Sequence, residues 1–149
     1  MKEALPYPHQ VDYVWLAVDD QHHVAIFFTG GEGPIPATAH STNESAYQIE
    51  EQALALPEKS DVRLHVSYPR LEDYVAMAKR GVYALDWGDV HRTRSAEKGI
   101  YELVAEPLMA ITLEQLPAEL RLIVEATHLV GIKFSQSAQS GIKVCRTVP

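Results

Sequence analysis

The sequence contains a single cysteine, Cys145. That rules out an intramolecular disulfide and leaves a cysteine-based zinc centre without ligands. Long apolar runs are missing as well: no stretch approaches the ~20 residues that cross a bilayer. The opening residues MKEALPYPHQ carry one lysine with no apolar segment behind it, so they do not read as a secretory signal. Basic residues are few. Thirteen Lys and Arg stand against 20 Asp and Glu, for a formal net charge of −7. Duplex nucleic acid is held by Lys and Arg that neutralise its phosphates, so no nucleic acid is expected as a partner. His9, His40, His65 and His128 are scattered without HExxH or His-x-His spacing, and no GxSxG segment is present. From these absences we expect a cytoplasmic protein with no membrane partner, no cofactor and no bound metal.

What is present fits one domain spanning residues 1–149. A chain of this size buries roughly 70% of the surface it exposes when unfolded, so it needs no covalent staple. Hydrophobic residues at 46% supply such a core and exclude a disordered chain. The excess acid is unevenly placed. Residues 1–60 hold nine acids and two bases, net −7; residues 61–99 hold six and seven, net +1; residues 100–149 hold five and four, net −1. A surface of one sign steers a basic partner toward it, and it also keeps a protein in solution.

Residues 11–18 (VDYVWLAV) and 23–29 (HVAIFFT) are rich in β-branched and aromatic side chains and flank a short polar turn, the pattern of a hairpin. Both faces are apolar, which places the hairpin centrally in a sheet covered on two sides, or leaves one side for a partner chain, including a homodimer mate. Gly30-Gly31-Glu32-Gly33-Pro34-Ile35-Pro36 is a loop. Ser41 and Glu44 form a capping box ahead of a helix with Ala46, Ile49, Ala53 and Leu56 at helical spacing. Residues 61–67 alternate with Val62, Leu64 and Val66 inward. A second helix buries Leu71, Tyr74, Val75 and Ala78 and ends at Gly81. Strands over 82–87 and 100–105 bracket a polar loop. Thr112 and Gln115 box the start of a third helix, with Leu116, Leu120, Ile123 and Val124 inward and Pro117 in its first turn. Residues 132–134 and 142–147 suggest a closing hairpin. The order ββαβαββαββ defines an α+β fold, a mostly antiparallel or mixed sheet of six to seven strands with three helices.

The segment Asp86-Trp87-Gly88-Asp89-Val90-His91-Arg92-Thr93-Arg94 is the richest in reactive groups. Asp86, Asp89, His91 and Arg92 are its catalytic candidates: carboxylates and imidazole for proton transfer, guanidinium for an anion. The alternative is a solvated loop in which Asp86 or Asp89 caps a turn and Arg92 pairs with an acid. His22 and His23 adjoin Asp19 and Asp20, yet neighbouring strand residues point to opposite faces, which disfavours one shared ion. The Gly30–Gly33 stretch lacks the GK[ST] ending of a phosphate loop, and Glu32 would repel phosphate. Cys145, in an apolar strand, reads as a buried thiol. Trp15 and Trp87 read as core.

Three segments taken together carry a resemblance: Val14-Trp15-Leu16-Ala17-Val18-Asp19 through the Gly30–Pro36 loop, Gly81-Val82-Tyr83-Ala84-Leu85-Asp86, and Tyr101-Glu102-Leu103-Val104-Ala105 with Leu116-Pro117. The chain resembles small uncharacterised bacterial proteins of the immunity type, encoded near polymorphic toxins. The resemblance implies toxin binding and no catalysis, and it carries over no functional residues. The charge count, with the whole −7 in residues 1–60, assigns Asp19, Asp20, Glu32, Glu44 and Glu51 to a surface that meets a basic partner such as a toxin domain. The alternative reading is a small enzyme or ligand-binding protein that uses the 86–94 loop.

Overall fold

Valine, isoleucine and the aromatic residues favour the pleated, fully buried surface of a sheet interior. In the computed structural model, strands β1 (Val14–Val18) and β2 (Val24–Phe28) are built from such residues, and all ten are buried. They pair antiparallel with Val14 opposite Phe28 and Val18 opposite Val24. The structure describes residues 13–30, 33–40, 46–67, 70–87, 100–138 and 141–144. After the hairpin come α1 (Ala37–His40), α2 (Ala46–Leu54), β3 (Val62–Leu64), α3 (Glu72–Lys79), β4 (Tyr83–Asp86) and β5 (Ile100–Pro107). A 3₁₀ turn over Leu113–Gln115, helix α4 (Ala118–Glu125), a second 3₁₀ turn over Phe134–Gln136 and β6 (Ile142–Lys143) complete the order.

The six strands form one mixed sheet in the order β1-β2-β4-β5-β3, with β6 also on β5. Among the described strands, only β2 and β4 pair in parallel. A register shift between Ala84 and Leu85 bends the β4–β5 ladder, and β5, at eight residues, is long enough to pair with β4, β3 and β6. The α+β expectation stands, in its mixed-sheet form. Among the described residues, no helix is long and apolar enough to cross a membrane.

Alternation along the strands sends side chains to two cores. Val14, Leu16, Val18, Ile26 and Phe28 face a layer of helices, where they meet Ile49 and Ala53 of α2, Met77 and Ala78 of α3, and Leu120 and Val124 of α4. Trp15, Phe27, Tyr83, Leu85 and Tyr101 face the other way, under Ile35, Ala39, Phe134 and Ile142. The chain itself therefore covers both faces of the hairpin. Helix α3 stops in a Schellman arrangement: Gly81 N–H donates to Ala78 C=O and Val82 N–H to Met77 C=O. Gly81 has φ +90, and an added Cβ there would lie 2.7 Å from the Ile111 nitrogen, so glycine is required twice over.

Several expectations need correction. The hairpin is not central: β1 ends the pairing order, and its free side meets residues 127–129, where Val18 N–H donates to Thr127 C=O and Leu129 N–H to Val18 C=O. Residues 132–134 form no strand, because Phe134 is drawn into the second core and starts a 3₁₀ turn, while β6 pairs with Ile100 and Tyr101 of β5 instead. Leu64 lies 47% exposed at the end of the short β3. In α3 the buried positions are Met77 and Ala78, with Tyr74 and Val75 half-buried. Thr112 and Gln115 do join, Thr112 N–H donating to Gln115 Oε1 at 2.9 Å, but they open a 3₁₀ turn; Pro117 then serves as the N-cap of α4. The Ser41/Glu44 box and Cys145 lie outside the described residues.

Trp15 is the largest fully buried side chain. Its ring stacks on Phe27 at 4.0 Å, and its Nε1–H donates to the Tyr101 hydroxyl at 3.3 Å. Truncating Trp15 to Ala empties this site and should lower unfolding free energy by about 3–5 kcal/mol. Chemical denaturation of the variant measures it; a loss below about 1 kcal/mol would be a surface value and contradict the layering.

Candidate functional site

Because β2 and β4 are parallel, their carboxyl ends leave the sheet on the same edge. That edge is where open sheets with parallel strands offer a crevice. Trp87 N–H donates to Phe28 C=O at 3.0 Å, which locks the two exits together. The loop after β2 turns at once, with Gly33 N–H donating to Thr29 C=O at 2.8 Å. Gly33 then lies against Trp87 and Tyr101; a Cβ would meet the Trp87 Cβ at 2.9 Å and collide with the Tyr101 hydroxyl. That hydroxyl donates to Pro34 C=O at 2.9 Å and accepts from Trp15. The glycine-proline loop and the start of the 86–94 segment, more than fifty residues apart in sequence, are thus one locale.

Asp86 closes β4 at this edge, 8% exposed, opposite Glu102 of β5 and beside Phe28 of β2. Directly opposed residues of antiparallel strands bring their Cβ atoms to about 5 Å, so the two carboxyl groups share one small region. Each is engaged by a polar or electrostatic partner. Paired carboxylates suit a cationic group or, when one holds a proton, acid–base work. Asp89, His91 and Arg92 lie outside the described residues, so Asp86 is the one catalytic candidate the structure places. Glu102 was missed, since cross-strand register is not written in sequence spacing.

A second concentration of titratable groups surrounds the β1–β2 turn. Asp19 has no exposed surface. Its Oδ1 accepts from the backbone N–H of Gln21 and of His23, each at 2.9 Å, and its Oδ2 from Phe134 N–H at 2.8 Å. This removes Asp19 from any outward acidic face: the group is a turn-former. Asp20 is exposed but pinned, accepting from Gly131 N–H at 2.8 Å and meeting His128 Nε2 at 2.9 Å. His22, with φ 63, turns its Nδ1 to Glu114 Oε2 at 2.7 Å. That contact, before any other, holds the Glu114 carboxyl below the usual range. His23 goes elsewhere, stacking on Tyr83 at 5.9 Å. The two adjacent histidines therefore diverge, and among the described residues no group of three or more His, Cys, Asp or Glu is placed for a metal ion.

Of the acids assigned to a partner surface, Glu51 is exposed on α2, while Glu32 and Glu44 lie outside the described residues. The structure adds others. The helical layer formed by α2, α3, the first 3₁₀ turn and α4 bears Glu50, Glu51, Glu72, Asp73, Glu114, Glu119 and Glu125 against Lys79 and Arg121, seven acids less two bases, net −5. The polar faces opposite the three apolar stripes were the sequence signal for this layer. No family model, curated protein or solved structure matches the chain.

Tyr83, at the foot of the turn, has its phenol pushed up from 10.0 to about 12, chiefly by burial and then by the charges of Glu106 and Asp19. In the unfolded chain the phenol ionises at its ordinary value; in the folded chain ionisation waits for a higher pH. The stability this contributes is full below about pH 10 and is lost as the pH climbs toward 12. Denaturation midpoints measured across this window should fall for the wild type and fall less for Tyr83→Phe. An equal fall in both would move the effect to other groups.

Proposed function

We propose that this chain is a non-enzymatic, immunity-like protein-binding domain whose acidic helical layer meets a basic partner such as a toxin domain. The observation that carries the reading is the net −5 among the residues of α2, α3, α4 and the first 3₁₀ turn, most of them exposed, with Arg80 at the end of α3 the nearest added base. Charges of one sign on a rigid layer accelerate encounter with the opposite sign and suppress wrong partners. The helices need not provide an apolar patch for this, because their apolar stripes are spent on the sheet. One observation favours the second reading, a small enzyme or ligand-binding protein that uses the 86–94 loop: Asp86 opposes Glu102 at the carboxyl edge of the parallel pair. Variants separate the two readings, since only the first depends on acids remote from that edge.

Capture by the immobilised protein, followed by association kinetics with each captured species, tests the proposal. Partners should be basic. Glu51→Gln combined with Glu119→Gln should slow association about three- to tenfold at low salt while leaving dissociation nearly unchanged. The difference should vanish near 1 M salt, where screening acts over about 3 Å. Association of the double variant at the wild-type rate in low salt would place the binding surface elsewhere.

A further inference from the structure

Strand β3 ends the sheet, and its backbone has a definite polarity. His65 N–H donates to Val104 C=O at 2.9 Å, and Leu108 N–H donates to Asp61 C=O at 3.0 Å. In an antiparallel ladder successive residues turn their polar groups to opposite sides. Asp61, Arg63 and His65 therefore face β5, and Val62 and Leu64 direct their N–H and C=O groups outward. Among the described residues no strand pairs with that side. Protein edges are usually blunted by charge or cover. This one is short and bears the exposed charges of Asp61 and Arg63, and beside them stand exposed apolar side chains, Leu64 at 47% and Met109 at 60%.

We propose that β3 pairs antiparallel with β3 of a second copy of this chain, about a two-fold axis through Val62. The outward residues of one strand must face those of the other, so the axis passes through a single residue, and charge selects which. An axis at Asp61 sets Asp61 against itself, and one at Arg63 sets two arginines together. An axis at Leu64 opposes Arg63 to His65. An axis at Val62 opposes Asp61 to the Arg63 of the other copy, twice, at the closely spaced positions of the ladder. The Asp61 side chain is exposed, and the Arg63 guanidinium is 63% exposed and only 4.0 Å from Glu106, so both are available. In this register Val62 exchanges two backbone bonds with its symmetry mate, and Leu64 lies opposite Ser60. Ser60 is a small residue just before the strand; its own N–H turns to Lys79 C=O, and its hydroxyl accepts from Met109 N–H at 2.8 Å, so Met109 lies beside it. Leu64 of one copy and Met109 of the other thus approach over a serine and shield each other. A three-residue strand buries far less than the ~1,600 Å² of a standard stable interface, so the dimer is weak and forms as concentration rises.

Sedimentation velocity on the full 149-residue chain, from low micromolar to near-millimolar protein, tests the assignment. The wild type should show a reversible shift from monomer toward dimer. Asp61→Arg alone and Arg63→Glu alone each place like charges across the axis and should weaken self-association about tenfold. An equimolar mixture of the two variants restores both opposite-charge contacts and should recover wild-type association, as should D61R/R63E in one chain. Thermal melts confirm that each variant is folded; Arg63→Glu also adds charge beside Glu106, and Asp61→Arg is the cleaner of the two. A wild type that stays monomeric throughout overturns the proposal and leaves the edge to an extended segment of another protein. Single variants that weaken association without recovery on mixing overturn the register.

Discussion

A carboxylate with no exposed surface has to find donors within the protein, and Asp19 finds three, all backbone N–H groups. Two belong to its own turn and fix the path from β1 to β2. The third belongs to Phe134, 115 residues further on. Hydrogen bonds to a charged acceptor contribute about 1.5–3 kcal/mol each, and leaving such an acceptor buried and unmatched costs more. One side chain thereby dictates both the hairpin turn and the place where the chain returns to cover the second face of the sheet. Asp20 repeats the device at the surface by holding Gly131 and His128.

The second layer depends on this anchorage because it has little regular structure of its own. It consists of α1 and the 3₁₀ turn over Phe134–Gln136, joined by Ile142 from the two-residue strand β6 on β5, pieces too short to hold themselves by local hydrogen bonding. Once Phe134 is fixed, its ring meets Phe27 at 6.1 Å and Tyr83 at 5.8 Å. Phe27 stacks on Trp15, Trp15 donates to Tyr101, and Tyr101 donates to Pro34. A single aromatic chain thus runs from the turn to the opposite edge of the sheet, where Asp86 and Glu102 lie. The helical layer is left to close the first face, and its outer surface is free to be charged.

Local patterns in the sequence translated well. The apolar, aromatic-rich content of residues 14–28, the stripes of α2 and α4 and the glycine after α3 each depend on neighbours within a turn or two, and each appears as expected. Non-local facts did not. The position of β1 at the end of the pairing order, the pairing of β6 with β5 and the opposition of Asp86 and Glu102 all arise from register between distant segments. Asp19 shows the boundary most clearly. An acid in a polar turn reads as a surface charge, while its two local bonds, to Gln21 and His23 N–H, are those of an Asx-type turn. Its burial follows from Phe134, which no spacing rule connects to it. The acid-rich first sixty residues likewise pointed to a charged surface, while the layer that bears it draws on three separate helices.

The Asp19 carboxylate ties the β1–β2 turn to Phe134. Amide hydrogen exchange on Asp19→Asn, read residue by residue beside the wild type, tests it most directly. The amide NH₂ of asparagine presents a donor where one carboxylate oxygen accepted, so at least one of the three bonds is lost. Exchange at Phe134, Gln21 and His23 should quicken, and stability should fall by about 1.5–3 kcal/mol. Unchanged protection at Phe134 with a loss below about 0.5 kcal/mol, the range of ordinary surface substitutions, would contradict it.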